Sequence, residues 1–181
     1  MIELLTAHTS GLGRAALDEA RTLLVEVFGV VFEGGLTAED WEHALGGMHV
    51  LLREDGVLVG HAAVVQRRML HGGRALRAGY VEAVGVRADR RGLGYGAALM
   101  DAAERVVRGG YELGVLCAAD GAAGFYGGRG WLPWQGPLAA LTPTGPVATP
   151  EEEGSVFVLP GPVAPDVSGR LTCDWRDGDL W

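Results

Sequence analysis

The segment Val84-Gly-Val-Arg-Ala-Asp-Arg-Arg-Gly-Leu-Gly-Tyr-Gly-Ala-Ala-Leu-Met100 constrains this chain more than any other stretch. Residues 80–86 read as a strand, the Arg- and Gly-rich stretch as a loop, and a helix opens near Gly94. Such a loop points several backbone N–H groups and the positive end of a helix dipole at one place, which suits a phosphate or pyrophosphate. Gly92, Gly94 and Gly96 let the backbone approach the anion, while Arg90 and Arg91 add mobile positive charge. A nucleoside triphosphate loop requires Gly-Lys followed by Ser or Thr. All 15 basic residues here are arginine, which excludes that class. A dinucleotide fingerprint G-x-G-x-x-A is present as Gly92, Gly94 and Ala97, with Glu112 about 20 residues further on. A dinucleotide unit alternates strand and helix, however, and here hairpin-like strands without an intervening helix precede the loop.

A third pattern fits better. Arg91-Gly-Leu-Gly94-Tyr-Gly96 resembles the R/Q-x-x-G-x-G/A acetyl-CoA pyrophosphate loop of the GNAT N-acetyltransferases. Ala122-Ala-Gly-Phe-Tyr126-Gly-Gly-Arg-Gly130-Trp131 resembles a later A-x-x-x-Y-x-x-x-G-F/W element of the same superfamily. Further stretches narrow the resemblance. They include Tyr80-Val-Glu82, Asp40-Trp-Glu-His, Leu45-Gly-Gly-Met-His49, His61-Ala-Ala-Val, Trp131-Leu-Pro-Trp134 and Cys173-Asp-Trp175-Arg-x-Gly-Asp-x-Trp181. Along essentially its whole length the chain resembles the aminoglycoside 2′-N-acetyltransferases. The resemblance implies a GNAT fold, an α/β architecture with a mixed central sheet and flanking helices.

Bulk properties agree with a single domain over residues 1–181, long enough to bury its own core. No apolar run is long enough to span a bilayer, and no basic-then-apolar leader opens the chain, so a cytoplasmic, membrane-free protein is expected. Cys117 and Cys173 are the only cysteines, which fits a reducing compartment and no disulfide framework. A net charge of −8 disfavours nucleic acid. Seven acids against two arginines between Thr149 and Trp181 make an acidic region that would steer a polycationic amine toward it. The five histidines show no metal-ligand spacing, so no metal is expected.

Residues 1–7 read as a strand and 17–28 as a helix with apolar Leu17, Leu24, Val25 and Phe28. Thr37-Ala-Glu-Asp40 has the form of a capping box for a helix through Leu45. Residues 48–53 and 57–67 flank Asp55-Gly56, a strong hairpin signal. Then come a strand over 75–86, a helix over 96–108, a buried strand over 113–118 and a short helix over 121–129. A strand starts at 131–134, five prolines make 133–150 a stiff loop, and final strands occupy 155–159 and 171–175.

The implied reaction is attack of a free amine on the thioester of acetyl-CoA, which needs a base for the ammonium and an acid for the leaving thiolate. Glu82 lies on the strand entering the loop, where alternation places Glu82, Val84 and Val86 on one face. A carboxylate in that apolar strand suits general-base work, directly or through water. By resemblance Tyr126 is the general acid. The backbone of Ala83, Val84 and Val86 pairs with the pantetheine amides, and Arg91, Gly92, Leu93, Gly94, Tyr95 and Gly96 hold the pyrophosphate. The resemblance also implies that Asp40, Glu82, Cys117, Glu152, Asp179 and Trp181, with the latter's α-carboxylate, meet the aminoglycoside. It implies a homodimer as well.

Three departures stand out. The family carries Asp where this chain has Gly35, Ser at Cys117, and Asp in place of Glu151, Glu152 and Glu153. Glu33 is a candidate to replace the acid missing at Gly35. Other readings stay open: a different small polyamine or aminosugar substrate, a dinucleotide-binding oxidoreductase, or a non-catalytic CoA-binding module.

Overall fold

Strand alternation, helix spacing and turn chemistry in this chain produce ten strands and four helices among the residues described by a computed structural model, namely 1–29 and 35–181. The strands are β1 (Ile2–His8), β2 (Met48–Glu54), β3 (Val57–His71), β4 (Arg74–Val86), β5 (Leu113–Cys117), β6 (Leu132–Pro133), β7 (Leu138–Thr142), β8 (Gly145–Ala148), β9 (Val156–Pro160) and β10 (Leu171–Cys173). The helices are α1 (Arg14–Gly29), α2 (Ala38–Ala44), α3 (Tyr95–Gly110) and α4 (Ala123–Gly127). They form two compact units, Met1–Val65 with Val81–Val106, and Gln66–Tyr80 with Val107–Trp181.

In the first unit β1, β2 and β3 form an antiparallel meander. The β2–β3 turn is made at Asp55 and Gly56, whose φ values of +50° and +81° match the turn that the Asp-Gly pair favours. The register slips by one residue between Leu52 and Arg53: Arg53 pairs with Leu58, but Leu52 with Gly60. Val59 is therefore an extra residue, a bulge that changes which face every later β3 side chain takes.

The sheet is covered on both sides. On one, α1 and α2 pack Ala20, Leu23, Leu24, Val27 and Trp41 against Leu51, Leu58 and Ala63. On the other, Leu99 and Ala102 of α3 pack on Val50, Leu52, Val59 and Ala62. Val25, expected on the apolar stripe of α1, is exposed instead, since Leu23, Leu24 and Val27 already form the inward face. The capping box of α2 forms as expected: the Asp40 amide donates to Thr37 Oγ1, and the Thr37 amide to Asp40 Oδ2 at 2.9 Å.

The second unit orders its strands β6-β9-β5-β4-β3-β10-β7-β8. Its core is aromatic and aliphatic, with Trp131, Tyr80, Leu113, Leu116 and Leu138 fully buried. The stiff loop expected over 133–150 is instead largely a hairpin, β7 with β8, in which Leu141 pairs with Pro146. Proline is compatible with it because β8 is an edge strand, where a missing N–H costs no ladder bond. In the same unit the guanidinium groups of Arg67 and Arg176 lie 4.8 and 5.4 Å from the centre of the Tyr80 ring. Arg67 also donates to the Leu180 carbonyl at 2.7 Å and Arg176 to the Trp181 carbonyl at 3.0 Å, which ties the C-terminal segment to the sheet.

A buried polar chain crosses the first core. Ala83 in β4 has φ +51°, a left-handed backbone that costs an alanine about 1–2 kcal/mol. Its carbonyl lies 2.9 Å from His61 Nδ1, His61 Nε2 lies 3.0 Å from His49 Nδ1, and His49 Nε2 lies 2.9 Å from Thr9 Oγ1. Both histidines are wholly buried, with Trp41 packed 6.1 and 6.3 Å from their rings. A carbonyl only accepts, so His61 Nδ1 carries the proton and Nε2 accepts. His49 Nδ1 then donates to it, which leaves His49 Nε2 as an acceptor 2.9 Å from the Thr9 hydroxyl, whose one proton is shared with the Gly47 carbonyl at 3.1 Å. Every bond in the series has one consistent direction when both rings are neutral.

Burial holds both imidazoles at a pKa of about 4, against about 6.5 in an unfolded chain. Between those values the unfolded chain binds more protons, so stability is full above pH 6.5 and falls as the pH drops toward 4. Urea midpoints are expected to decline from pH 7 to pH 5, with a slope that flattens in the double variant His49→Leu/His61→Leu. A second expectation concerns Gly114 of β5, where an added Cβ would meet Trp131, Leu159 and Val107 at 3.0–3.1 Å. Gly114→Ala should lower stability by about 1–3 kcal/mol with an unchanged urea m-value.

Candidate functional site

The strand–loop–helix segment of the first unit forms at the expected place. After β4 ends at Val86, one short 3₁₀ turn (Ala88–Arg90) leads to Arg91 and the start of α3 at Tyr95. Gly92 and Gly94 have φ +78° and +84°, and an added Cβ would meet nothing within 4 Å at either. Backbone conformation, not crowding, calls for glycine here, and the space beside both is open for a ligand to approach. The first turn of α3 carries no acid, and its leading N–H groups have no partner one turn earlier.

The loop arginines divide by role. Arg87 pairs with Asp89 at 2.9 Å, and Arg90 pairs with Glu54 and Asp89. Arg91 is exposed, donates from Nε to the Val86 carbonyl at 3.3 Å, and makes no ion pair among the described residues. It keeps its charge for an anion. Tyr95 donates to Glu54 at 2.7 Å, and this bond, with that from Arg90, holds the Glu54 carboxyl below its ordinary range. The Tyr95 side chain is thus engaged, which leaves its backbone for a loop ligand. Leu93 is exposed, and Gly96 half-buried in the first turn.

Glu82 lies half-buried in β4, one residue before the left-handed Ala83. That residue interrupts the expected alternation. Val84 and Val86 pack with the α3 cluster and Ala83 with the α1 cluster, but the regular two-residue period does not continue back through Ala83 to Glu82. Pairing of β4 with β5 runs from Ala78↔Leu113 to Tyr80↔Val115, while β4 itself continues to Val86.

The second unit gathers Cys117, Tyr126, Glu152, Asp179 and Trp181. Cys117 Sγ donates to Glu152 Oε2 at 3.6 Å. Burial raises the Glu152 carboxyl, the charge of Asp179 raises it further, and the Cys117 bond pulls it back in part. Two carboxylates close enough to repel form a place that a cation would stabilise. Tyr126, packed edge-on to Trp131 at 6.2 Å, has its hydroxyl pKa raised by burial and then by Cys117, so it holds its proton at neutral pH. The indole of Trp181 is 3% exposed and donates to Thr149 Oγ1 at 2.9 Å, so the ring anchors its own segment. Its backbone N–H donates to Asp179 Oδ1 at 3.3 Å.

Asp40, a candidate substrate ligand, uses one carboxylate oxygen in the capping box of α2. Gly35 takes φ +67°, a conformation glycine enters without strain. Glu33 lies outside the described residues. Sequence reasoning missed the Thr9–His49–His61–Ala83 series, the Glu54–Tyr95 bond and the Arg67–Tyr80–Arg176 stack. A cation near an aromatic ring is legible as composition only, since the three residues lie far apart along the chain.

Residues 10–133 match the Acetyltransferase (GNAT) domain family. The chain is 52% identical over 178 residues to an aminoglycoside 2′-N-acetyltransferase of Mycolicibacterium fortuitum, covering 96% of this chain and 89% of that one. Escherichia coli ElaA superposes with a TM-score of 0.63 at 20% identity, covering 88% of this chain and 99% of that one. A GNAT family acetyltransferase from Brucella melitensis in complex with acetyl-CoA gives 0.61 at 20% identity, covering 93% and 94%. YhbS of Escherichia coli in complex with CoA gives 0.62 at 16% identity, covering 95% and 90%. With its glycine loop at the head of α3 and this degree of identity, the chain is an acetyltransferase of the GNAT superfamily and belongs to its aminoglycoside 2′-N-acetyltransferase family.

Proposed function

We propose that this enzyme moves the acetyl group of acetyl-CoA to the 2′-amine of aminoglycosides by direct attack. Acetyl-CoA is the co-substrate, and the loop fits its pyrophosphate: open glycines, an acid-free helix start and the unpaired charge of Arg91. The backbone of Ala83, Val84 and Val86 serves the pantetheine amides. The observation that carries the substrate class is the Glu152–Asp179 pair, whose mutual repulsion an ammonium group relieves. Each such charged hydrogen bond is worth roughly 1.5–3 kcal/mol.

In this reading Glu82 takes a proton from the substrate ammonium, directly or through water. The freed nitrogen lone pair forms the C–N bond at the thioester carbonyl as the C–S bond breaks. Tyr126, protonated at neutral pH, gives its proton to the departing thiolate, and the second proton that the acylated nitrogen must shed returns to the tyrosinate, leaving a neutral amide and the free thiol. Asp40, Glu152, Asp179 and the Trp181 segment supply polar contacts to the aminoglycoside, with Cys117 orienting Glu152. The protein acts as a single GNAT domain over residues 1–181, in the cytoplasm and as a homodimer. Among the described residues no helix is long and apolar enough to cross a membrane.

Thiol release from acetyl-CoA should occur with an aminoglycoside bearing a 2′-amine and not with one bearing a 2′-hydroxyl at that ring position. Turnover with neither, while acetyl-CoA binds, would move the substrate to another polyamine. Glu82→Gln should lower kcat by about 10²–10⁴-fold, the range for a lost general base, with acetyl-CoA affinity retained.

A further inference from the structure

We propose that His61, held by His49, is a positioning residue for acetyl-CoA: it fixes the Ala83–Val84 peptide in the orientation that receives the pantetheine arm. This rests on the reading that β4 binds acetyl-CoA. The physical link is the peptide plane. In a trans peptide the Ala83 carbonyl and the Val84 N–H point in opposite directions within one rigid unit. His61 Nδ1–H, 2.9 Å from that carbonyl, draws it into the core beneath α1 and α2. The Val84 N–H is thereby aimed to the other side.

The left-handed φ of Ala83 makes this fixation necessary. An alanine at +51° relaxes to ordinary strand geometry unless its surroundings hold it. Relaxation would rotate the Ala83–Val84 peptide and turn the Val84 N–H away from where it stands. One buried hydrogen bond is of the same size as the strain it opposes.

The histidine series is built to hold position and not to carry protons. It ends on a backbone carbonyl, which cannot take up a proton and pass it on. Its other end is fixed as well: Thr9 Oγ1 accepts from the Gly46 amide at 2.9 Å and lies 3.1 Å from the Gly47 carbonyl. His49 thus sets the His61 ring from behind, and Trp41 closes over both rings.

Two buried amides separate positioning from simple tolerance. In His61→Asn an amide N–H occupies the place of Nδ1 and can still reach Ala83. In His61→Gln the amide occupies the place of Nε2, where its oxygen accepts from His49 Nδ1–H, and no donor is left for Ala83. Acetyl-CoA binding by calorimetry is expected to stay within about threefold of wild type for Asn and to weaken by about tenfold for Gln. His61→Leu should weaken binding as Gln does. Equal affinities for Asn and Gln, or wild-type affinity in a folded Leu variant, would overturn the proposal. Where Leu does not fold, the Asn and Gln pair decides alone. Failure of the underlying reading looks different, because then the wild-type protein itself would not bind acetyl-CoA.

Discussion

One alanine held in a left-handed conformation inside a long strand sets the terms for the first unit. Ala83 sits where β4 has run past its pairing with β5, between the candidate base Glu82 and the backbone that leads into the glycine loop. A glycine would enter φ +51° at little cost, yet would also leave it easily. An alanine stays only because the core around it is fixed. That core includes α1, Trp41 and a pair of neutral imidazoles whose hydrogen bonds are fully used.

The charge pattern follows a similar economy. Of three consecutive-loop arginines, Arg87 and Arg90 are absorbed by Asp89 and Glu54, leaving Arg91 as the exposed cation beside open glycine backbone. In the second unit the order is reversed: Arg67 and Arg176 are used to hold backbone carbonyls of the final residues, while the charge of Asp179 adds to burial in raising the Glu152 carboxyl. An anion is thus favoured at one place and a cation at the other. Those are the charges of a pyrophosphate and of a protonated amine.

Much of this was legible in the sequence. Glycine spacing marked the loop, Asp55-Gly56 the hairpin and Thr37 with Asp40 the capping box, because each depends on neighbours within a few residues. The proline-rich stretch misled because proline punctuates loops, whereas here it occupies an edge strand whose edge position depends on distant pairings. The Trp181 indole donates to Thr149, a contact between residues 32 apart that no local pattern marks. Asp40 satisfied two readings at once, and the local one, the helix cap, is visibly in use.

The histidine pair shows why some of the site was invisible. Counting outward from a two-residue turn at Asp55 and Gly56, Glu54 pairs with Val57 and, in an unbroken ladder, Val50 would pair with His61. His61 would then share a face with Val50, and His49 would point to the opposite side of the sheet. The extra residue at Val59 shifts the ladder so that Leu51 faces His61 and His49 faces Ala63. Both rings now turn to the α1 side, and only then do their nitrogens come within 3.0 Å. No residue type at Leu52, Arg53 or Val59 announces that shift. It is imposed by the packing of α1 and α3 on opposite faces of β3: Leu58 belongs to the α1 core and Val59 to the α3 core, and a Cβ added at Gly60 would meet Leu99 of α3 at 3.0 Å. A one-residue bulge in the hairpin thus determines whether Ala83, more than twenty residues later, has a donor for its carbonyl.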